Sequence, residues 1–225
     1  PSSTMSRRSF LLRSAAVGGG LMLEVSIPTR LFAKEAKAAS TPSHGPEVTA
    51  WVLISPDDTV TIRVARVEMG QGSYTGLPML LCEELACAWN KVQPEYASTS
   101  ENLRRNRVFG DMLTGGSRSI RDSNEYLRKA GAAAPTMLIT AAAQRWSVPA
   151  SECTAEKSVI THGPTKRQMK FGEVAADAAK LDVPKDVTLK DAKDWKILGQ
   201  PMKRFDIPDK GTGKTEFAID VRPPG

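Results

Sequence analysis

Gln71 is the first residue whose surroundings suggest ligand binding, because it lies between two glycines where a strand-like run becomes a helical pattern. In VTIRVARVEMGQGSYTGLPMLL (60–81), alternation gives way at Gly70, Gln71 and Gly72. Glycine has no side chain to hold a ligand away from the backbone. An amide side chain both donates and accepts hydrogen bonds, which suits a neutral heterocycle or a metal-bound oxygen. We therefore predict a ligand-binding loop at residues 70–72.

A second loop, TGGSRS (114–119), has the same design of glycines followed by small hydroxyl side chains. It precedes a long helix-like run, and the free N–H groups at a helix start favour an anion. Ser117 and Ser119 add donors, and Arg118 or Arg121 adds positive charge. A ligand with a polar ring and a phosphate would suit the pair of loops. Taken singly, each loop is better explained as a turn or a helix cap than as a binding site.

Other arrangements of reactive side chains are not visible. No Ser-His-Asp or paired-carboxylate grouping stands out, and neither His44 nor His162 has metal-ligating neighbours in sequence. Cys82 and Cys87 are five residues apart on a predicted helix and would project about 140° apart, which is poor geometry for a shared metal. We interpret the cysteines as small buried hydrophobic residues. The sequence predicts no metal ligands and no catalytic residue.

The elements that must position the two loops are mixed in type. Two β-branched runs around SPDD predict a β-hairpin, and Leu77, Leu80, Leu81, Leu85 and Trp89 have the spacing of a buried helix face, with Pro78 in its first turn. VQPEY and EFAIDV read as strands, and KFGEVAADAAKL reads as a helix. The alanine-rich run 117–146 predicts one long helix, kinked near Pro135. The proline- and glycine-rich tail from residue 189 is expected to wrap over a surface, and the fold class is α+β.

Composition and charge exclude some classes of protein. Of the 225 residues, 40% are hydrophobic and 25% charged, as in ordinary globular proteins. The net charge of +6 arises partly at the N-terminus and is elsewhere scattered among acidic residues. No basic face interleaved with aromatic residues is visible, so we do not expect a nucleic-acid partner.

The N-terminus has the pattern of an export signal. SRRSFLL (6–12) places two adjacent arginines before an apolar run softened by three glycines, and small residues follow at AKAAS (36–40). This pattern predicts a twin-arginine signal and leader over residues 1–40 and a periplasmic location. The apolar stretch 15–23 is shorter than the roughly 20 residues of a membrane span. Whether the signal is cleaved or retained as an attachment to the inner membrane stays open.

In order along the chain, four segments resemble one family. They are residues 60–85, 114–138, 189–201 and 213–225. Together they are similar to the N-terminal third of the molybdopterin-binding large subunit of the xanthine dehydrogenase and aldehyde oxidase superfamily. The most similar branch contains isoquinoline 1-oxidoreductase β-subunits and membrane-bound aldehyde dehydrogenases.

The resemblance implies a molybdenum hydroxylase that converts a substrate C–H to C–OH with oxygen from water. It implies a molybdopterin cofactor with molybdenum, in the cytosine dinucleotide form, held by Gly70, Gln71 and Gly72 and, at the pterin phosphate, by Gly116, Ser117, Arg118 and Ser119. It also implies partners: a 2Fe–2S small subunit, a membrane cytochrome c subunit with haem, and the remainder of the large subunit as a separate chain. The substrate would be an aldehyde or an N-heterocycle.

The sequence also departs from the family. Its general base is a glutamate in a Gly-x-Gly-Glu setting near the end of a much longer chain, and no counterpart occurs here, so Glu68, Glu83 and Glu84 are not assigned that role. By resemblance, residues 41–200 are part of the cofactor-binding domain, and 201–225 are a wrapping segment and the start of an α/β hammerhead domain. The chain is then one piece of a large subunit, whether split, processed or truncated. The alternative is a non-catalytic structural or assembly module.

Overall fold

A four-stranded mixed sheet supports the first predicted loop. The computed structural model describes residues 45–217 and 219–222, and the predicted signal and leader lie outside them. The strands, in spatial and chain order, are β1 (Glu47–Thr49), β2 (Val52–Ile54), β3 (Val60–Val64) and β4 (Val92–Tyr96). The first three pair antiparallel, whereas β4 pairs parallel to β3. Parallel pairing needs a crossover, and helix α1 (Ser73–Leu85) lies in that crossover.

The predicted hairpin is confirmed by the pairing of β2 with β3. Ile54 opposes Val60 across the turn, and Asp57 Oδ1 accepts the N–H of Thr59 at 3.0 Å. All residues of both strands are buried. The hairpin therefore forms part of the core, and β3 leads directly into the first loop.

Helix α1 buries the predicted leucine face but has different ends from those predicted. Leu77, Leu80, Leu81 and Leu85 are buried as expected. The helix ends where Ala86 adopts a left-handed conformation (φ 56°), so Trp89 belongs to a separate 3₁₀ turn and not to the helix face. Because α1 begins directly after Gly72, the proline at position 78 lies in its second turn and not in its first.

The turn at Ala86 also changes the interpretation of two cysteines. It directs Cys87 back toward the helix, where Cys87 and Cys82 form a disulfide with their Cα atoms 5.5 Å apart. Both residues are buried, as predicted, but they are bonded to each other. The angular separation on an ideal helix did not apply, because the helix ends between them.

The predicted long helix is two helices. A short helix, α2 (Thr99–Arg104), precedes the second loop. The predicted run 117–146 then forms α3 (Arg118–Arg121) and α4 (Asn124–Trp146). The interruption lies at residues 122–123, where the Asp122 carboxylate binds Arg118 and Arg121, whereas α4 continues through Pro135. Helix α4 packs on α1 at Gly131, where a Cβ atom would lie 2.5 Å from the Leu81 carbonyl oxygen.

A smaller antiparallel sheet follows α4. It contains β5 (Cys153–Glu156), β6 (Val159–His162) and β7 (Gln168–Lys170), and it leads into helix α5 (Phe171–Ala178). The buried ring of His162 contacts Glu152 through Nε2 and Thr165 through Nδ1. The predicted strand around Val159 and the predicted helix after Lys170 are confirmed, and so is the α+β class.

Residues 190–198, here called the strap, are attached to the buried carboxylates of α1. Glu83 Oε2 accepts the N–H groups of Lys196, Ile197 and Leu198 at 2.9, 2.6 and 3.1 Å. Glu84 accepts the N–H of Lys190 at 3.0 Å and also binds Arg128 of α4. The tail thus lies along the surface of the helices, as its composition predicts.

The end of the described chain contains one short helix and no strand. Helix α6 (Ile207–Gly211) is followed by irregular backbone, and the described residues of EFAIDV form a turn in which Phe217 and Asp220 bond each other. The predicted strand is therefore wrong. None of the described strands pairs with this segment, and the Asp220 carboxylate accepts the N–H of Phe217 within the turn. None of the helices in the described ranges has the length and hydrophobicity of a membrane span.

Candidate functional site

The structure brings the two predicted loops together. At the end of β3, Val67 N donates to Thr114 Oγ1 at 2.8 Å. The adjacent Arg66 donates from Nη1 to Asp111 Oδ1 at 2.7 Å and to the Leu113 carbonyl. These bonds cross about 45 positions of sequence, so tertiary structure alone places Thr114 beside Val67. The two loops are available to one ligand, and their binding roles stay predictions.

The first loop has an exposed and unobstructed backbone. Gly70 has φ +106° and Gly72 has φ +83°, conformations that residues with a Cβ rarely adopt. A Cβ atom on Gly70 would meet nothing within 4 Å. The Gln71 side chain folds over its own loop, accepting the N–H of Met69 at 2.5 Å and donating to the Val67 carbonyl at 2.8 Å. A ligand that bonds to the Gln71 amide would compete with these local bonds.

The buried Glu68 carboxylate accepts hydrogen bonds from the backbone of this loop and of the helix that follows. Its oxygens accept the N–H groups of Gly70, Gly72 and Tyr74 at 2.7, 2.9 and 2.9 Å. Arg204 Nη2 approaches the same carboxylate at 3.2 Å, and the Glu68 side chain is only 4% exposed. Burial raises the pKa of the Glu68 carboxyl, but the three amide hydrogen bonds and the charge of Arg204 hold it below its ordinary value.

The second loop differs from its predicted form. Ser117 adopts a left-handed conformation (φ 55°) and precedes the four-residue α3, whereas the long helix α4 begins at Asn124. The second loop therefore does not open the long helix, contrary to the prediction, and its role in binding a phosphate stays a prediction. A Cβ atom on Gly115 would meet nothing within 4 Å, and one on Gly116 would meet only the Arg118 side chain at 3.7 Å.

Charge at the second loop is already largely paired. Arg118 lies 2.5 Å from Asp122 and 3.2 Å from Asp111. The hydrogen bond to Asp122 and the charges of Asp122 and Asp111 raise the pKa of Arg118. Arg121 keeps 68% of its side chain exposed while contacting Asp122. Ser119 is half-buried within α3. Of the two arginines, Arg121 has the more accessible charge.

The three glutamates that sequence reasoning set aside as bases are bound by backbone N–H groups. Glu68 supports the first loop, and Glu83 and Glu84 hold the strap. Burial raises the pKa of the Glu68 and Glu83 carboxyl groups, but the several N–H donors on each of these two groups hold its pKa below the ordinary value. Across residues 45–217 and 219–222, no group of three His, Cys, Asp or Glu side chains has the arrangement of a metal site.

Sequence reasoning missed Glu68 and Arg204 as residues of this site. Arg204 is 134 positions from Gly70, whose carbonyl it contacts at 3.0 Å, so no local pattern marks the arginine. Glu68 could have been found, since a carboxylate two residues before a glycine-rich loop can accept its N–H groups.

The lowered pKa of Glu68 predicts an acid-sensitive loop. Its contribution to stability is complete above the unfolded-state pKa of about 4.5 and is lost as the pH falls through the lower folded-state value. The wild-type chain should therefore lose more unfolding free energy than Glu68→Gln between about pH 5 and about pH 3. Urea unfolding of both chains at these two values measures the difference, and equal losses would contradict the prediction.

Comparisons with known protein families and known proteins find similarity over most of the chain. The family model described as "Molybdopterin cofactor-binding domain" matches residues 20–219. Isoquinoline 1-oxidoreductase subunit beta of Brevundimonas diminuta is 30% identical over 98% of this chain and 32% of its own length. Membrane-bound aldehyde dehydrogenase (pyrroloquinoline-quinone) of Gluconacetobacter polyoxogenes is 30% identical over 99% of this chain and 28% of its own length. The chain thus spans about a third of the length of these relatives.

Two solved structures are also similar to part of the chain. A Cu,Mo-CO dehydrogenase is 20% identical, with a TM-score of 0.42, over 55% of this chain and 15% of that one. Quinoline 2-oxidoreductase from Pseudomonas putida 86 is 18% identical, with a TM-score of 0.32, over 57% of this chain and 16% of that one. The family model, by contrast, includes both loops, the strap and most of the tail. On that match, the chain belongs to the molybdopterin cofactor-binding domain family.

Proposed function

We propose that this chain forms part of the cofactor-binding large subunit of an exported molybdenum hydroxylase, which oxidises an aldehyde or an N-heterocycle with oxygen from water. The observation that carries the proposal is the junction of the two glycine loops through Val67 and Thr114. The names of the similar proteins include an aldehyde and an isoquinoline oxidoreductase, so both substrate classes belong to the proposal.

The residues present fit molybdopterin at this junction. Gly70 and Gly115 leave open space where side chains would stand, so a flat ring system can approach the backbone. Gln71 offers a donor and an acceptor to a pterin ring, and Arg121 offers charge to a phosphate. Arg66, which joins the loops, has a buried Nε atom with no hydrogen-bond partner in the described chain. Buried donors without a hydrogen-bond partner are uncommon in folded proteins. The Arg66 Nε atom can therefore donate a hydrogen bond to an acceptor on a bound ligand.

In the proposed arrangement, Gly70, Gln71 and Gly72 hold one part of the cofactor, and Gly116, Ser117, Arg118 and Ser119 hold the phosphate part. The bound cofactor, in its cytosine dinucleotide form, supplies the redox chemistry of molybdenum. This chain contributes binding and orientation: its loop backbones approach the ligand and its amide side chain fixes the ring. Backbone N–H groups already bind the carboxylates of Glu68, Glu83 and Glu84. The general base therefore comes from the remainder of the large subunit.

The proposal includes partners and a location. Electrons leave through a 2Fe–2S small subunit and then a membrane cytochrome c subunit with haem. The remainder of the large subunit completes the active site, and the assembly is periplasmic after twin-arginine export. Molybdenum analysis of the complex isolated from periplasmic and membrane fractions tests this. About one molybdenum per chain supports the proposal, and a complete complex without molybdopterin contradicts it.

Gln71→Ala is expected to reduce cofactor retention about tenfold, because one charged or polar hydrogen bond contributes roughly 1.5 kcal/mol and tenfold corresponds to about 1.4 kcal/mol. The side chain is exposed and bonds only within its loop, so folding should change little. Molybdenum and pterin per purified chain measure retention. The matched control is Gln168→Ala, an exposed glutamine on β7. Unchanged retention in Gln71→Ala would remove the binding role from Gln71.

A further inference from the structure

The first glycine loop together with Glu68 and Met69 is here called loop 68–72. The Glu68 carboxylate is buried, whereas the backbone of this loop is exposed. Glu68 is 4% exposed at its side chain, whereas its neighbours Val67 and Met69 are 54% and 69% exposed as whole residues. The carboxylate accepts N–H groups from Gly70 and Gly72, the two loop glycines with positive φ, and from Tyr74 in the first turn of α1. One side chain therefore fixes both flexible positions relative to the helix.

The second member of the arrangement comes from the tail. Arg204 Nη1 donates to the Gly70 carbonyl at 3.0 Å, and its Nη2 donates to Glu68 Oε1 at 3.2 Å. Asp206 fixes the guanidinium through bonds of 3.0 and 2.7 Å and is itself bound by Lys210 at 2.6 Å. The guanidinium thus bonds to the loop and to Asp206, and Asp206 fixes its orientation.

The tail is attached to α1 beside this ion pair. Phe205 N donates to Thr75 Oγ1 at 3.0 Å, and the Phe205 ring lies 5.0 Å from the Trp89 ring. Arg204 is therefore held between two anchors, Phe205 on α1 and Asp206 on the guanidinium. Its position relative to Gly70 is set by the fold and not by loop sequence.

We propose that Glu68 and Arg204 are a positioning pair that presets loop 68–72 for the molybdenum cofactor, so that retention of the cofactor depends on the tail. This inference rests on the proposed function of the loop. Two glycines with free φ angles sample many conformations, and a ligand that binds one of them must restrict the others. Restriction by Glu68 and Arg204 before binding lowers that entropic penalty. Neither residue needs to touch the cofactor.

The experiment uses the native complex and five chains: wild type, Glu68→Gln, Arg204→Met, the double variant of these two, and the control Asp58→Asn. Asp58 is also a buried carboxylate that accepts a backbone N–H, from Gly172 at 2.9 Å, and it contacts Lys170. It lies in the β2–β3 turn, at the other end of β3 from the loops. The control thus removes a similar interaction without altering the loop.

The first readout is molybdenum and pterin per chain, and the second is hydrogen–deuterium exchange of residues 69–74 in cofactor-free protein. We expect Glu68→Gln and Arg204→Met each to retain about tenfold less cofactor and to exchange faster in the loop, since each loses a hydrogen bond involving a charged group. Asp58→Asn should retain wild-type cofactor. The double variant should retain about as much as either single variant, because the two residues act together.

Different results overturn different claims. If the wild type holds molybdopterin and both variants hold as much, the positioning inference is wrong and the proposed function stands. Faster exchange with unchanged retention would reduce the pair to a structural role and also overturn the inference. A decrease in Asp58→Asn equal to that in Glu68→Gln would show a general stability effect and contradict positioning. A wild-type complex without molybdopterin would refute the proposed function and the inference with it.

Discussion

Replacing Glu83 with alanine is expected to lower the free energy of unfolding by about 3 kcal/mol, because the N–H groups of the strap would lose a buried charged acceptor. Glu83 is 1% exposed at its side chain. Its Oε2 accepts three consecutive N–H groups at residues 196–198, and Lys190 Nζ lies 3.4 Å from Oε1. Burial raises the pKa of Glu83, but these donors hold it below its ordinary value, so the charge is present at neutral pH.

Urea unfolding at pH 7 measures the loss in Glu83→Ala, and limited proteolysis near residue 195 reports release of the strap. The matched control is Glu156→Ala, which removes an ion pair to Lys196 of the same strap. Both side chains of that pair are largely exposed, at 62% and 70%, so no measurable change is expected. A loss below about 1 kcal/mol in Glu83→Ala would mean that the strap is held mainly by other contacts.

Gly131→Ala is the second substitution with a large expected effect, a loss of about 2 kcal/mol. A Cβ atom at this position would lie 2.5 Å from the Leu81 carbonyl oxygen and 3.0 Å from Glu84 Cβ, so α1 and α4 would have to separate. Forcing a methyl group into a packed interface costs about 1–3 kcal/mol, and the upper end applies here because the clash is with a backbone oxygen. The intrinsic helix preference of alanine over glycine, roughly 1 kcal/mol, offsets only part of that.

Gly76→Ala in α1 is the matched control for Gly131→Ala. Its Cβ atom would lie 3.1 Å from Ile120 Cδ1, the mobile end of a side chain that can move aside. We expect no loss, or a gain of up to about 1 kcal/mol. Denaturant unfolding of both variants gives the comparison. Equal stability of Gly131→Ala and wild type would show that the two helices tolerate a wider separation.

The strap and the positioning pair connect the tail to the candidate site. Glu83 and Glu84 hold residues 190–198, and Arg204 then reaches Gly70 a few residues later. A weakened strap is therefore expected to disturb loop 68–72 as well as global stability. For this reason the tests of the loop use Asp58→Asn, and not a strap variant, as their control.

Periodicity and local residue type determined most secondary elements. The hairpin, the leucine face of α1, strand β4 and helix α5 follow from β-branched alternation and from three- and four-residue spacing. Where local pattern and tertiary contacts conflict, the predicted boundaries are wrong. The long helix divides at residues 122–123, and the described residues of EFAIDV form a turn with which no described strand pairs.

The sequence by itself determined the two glycine loops, the α+β class and the family, since these depend on residue type and order along the chain. Only the tertiary structure decided that the loops adjoin through Val67 and Thr114, and that Glu68 and Arg204 support the first loop. The reason is physical. Glycine conformation and amphipathic periodicity act over a few residues, whereas the contact of Arg204 with Gly70 spans 134 positions and exists only because the tail is anchored on α1.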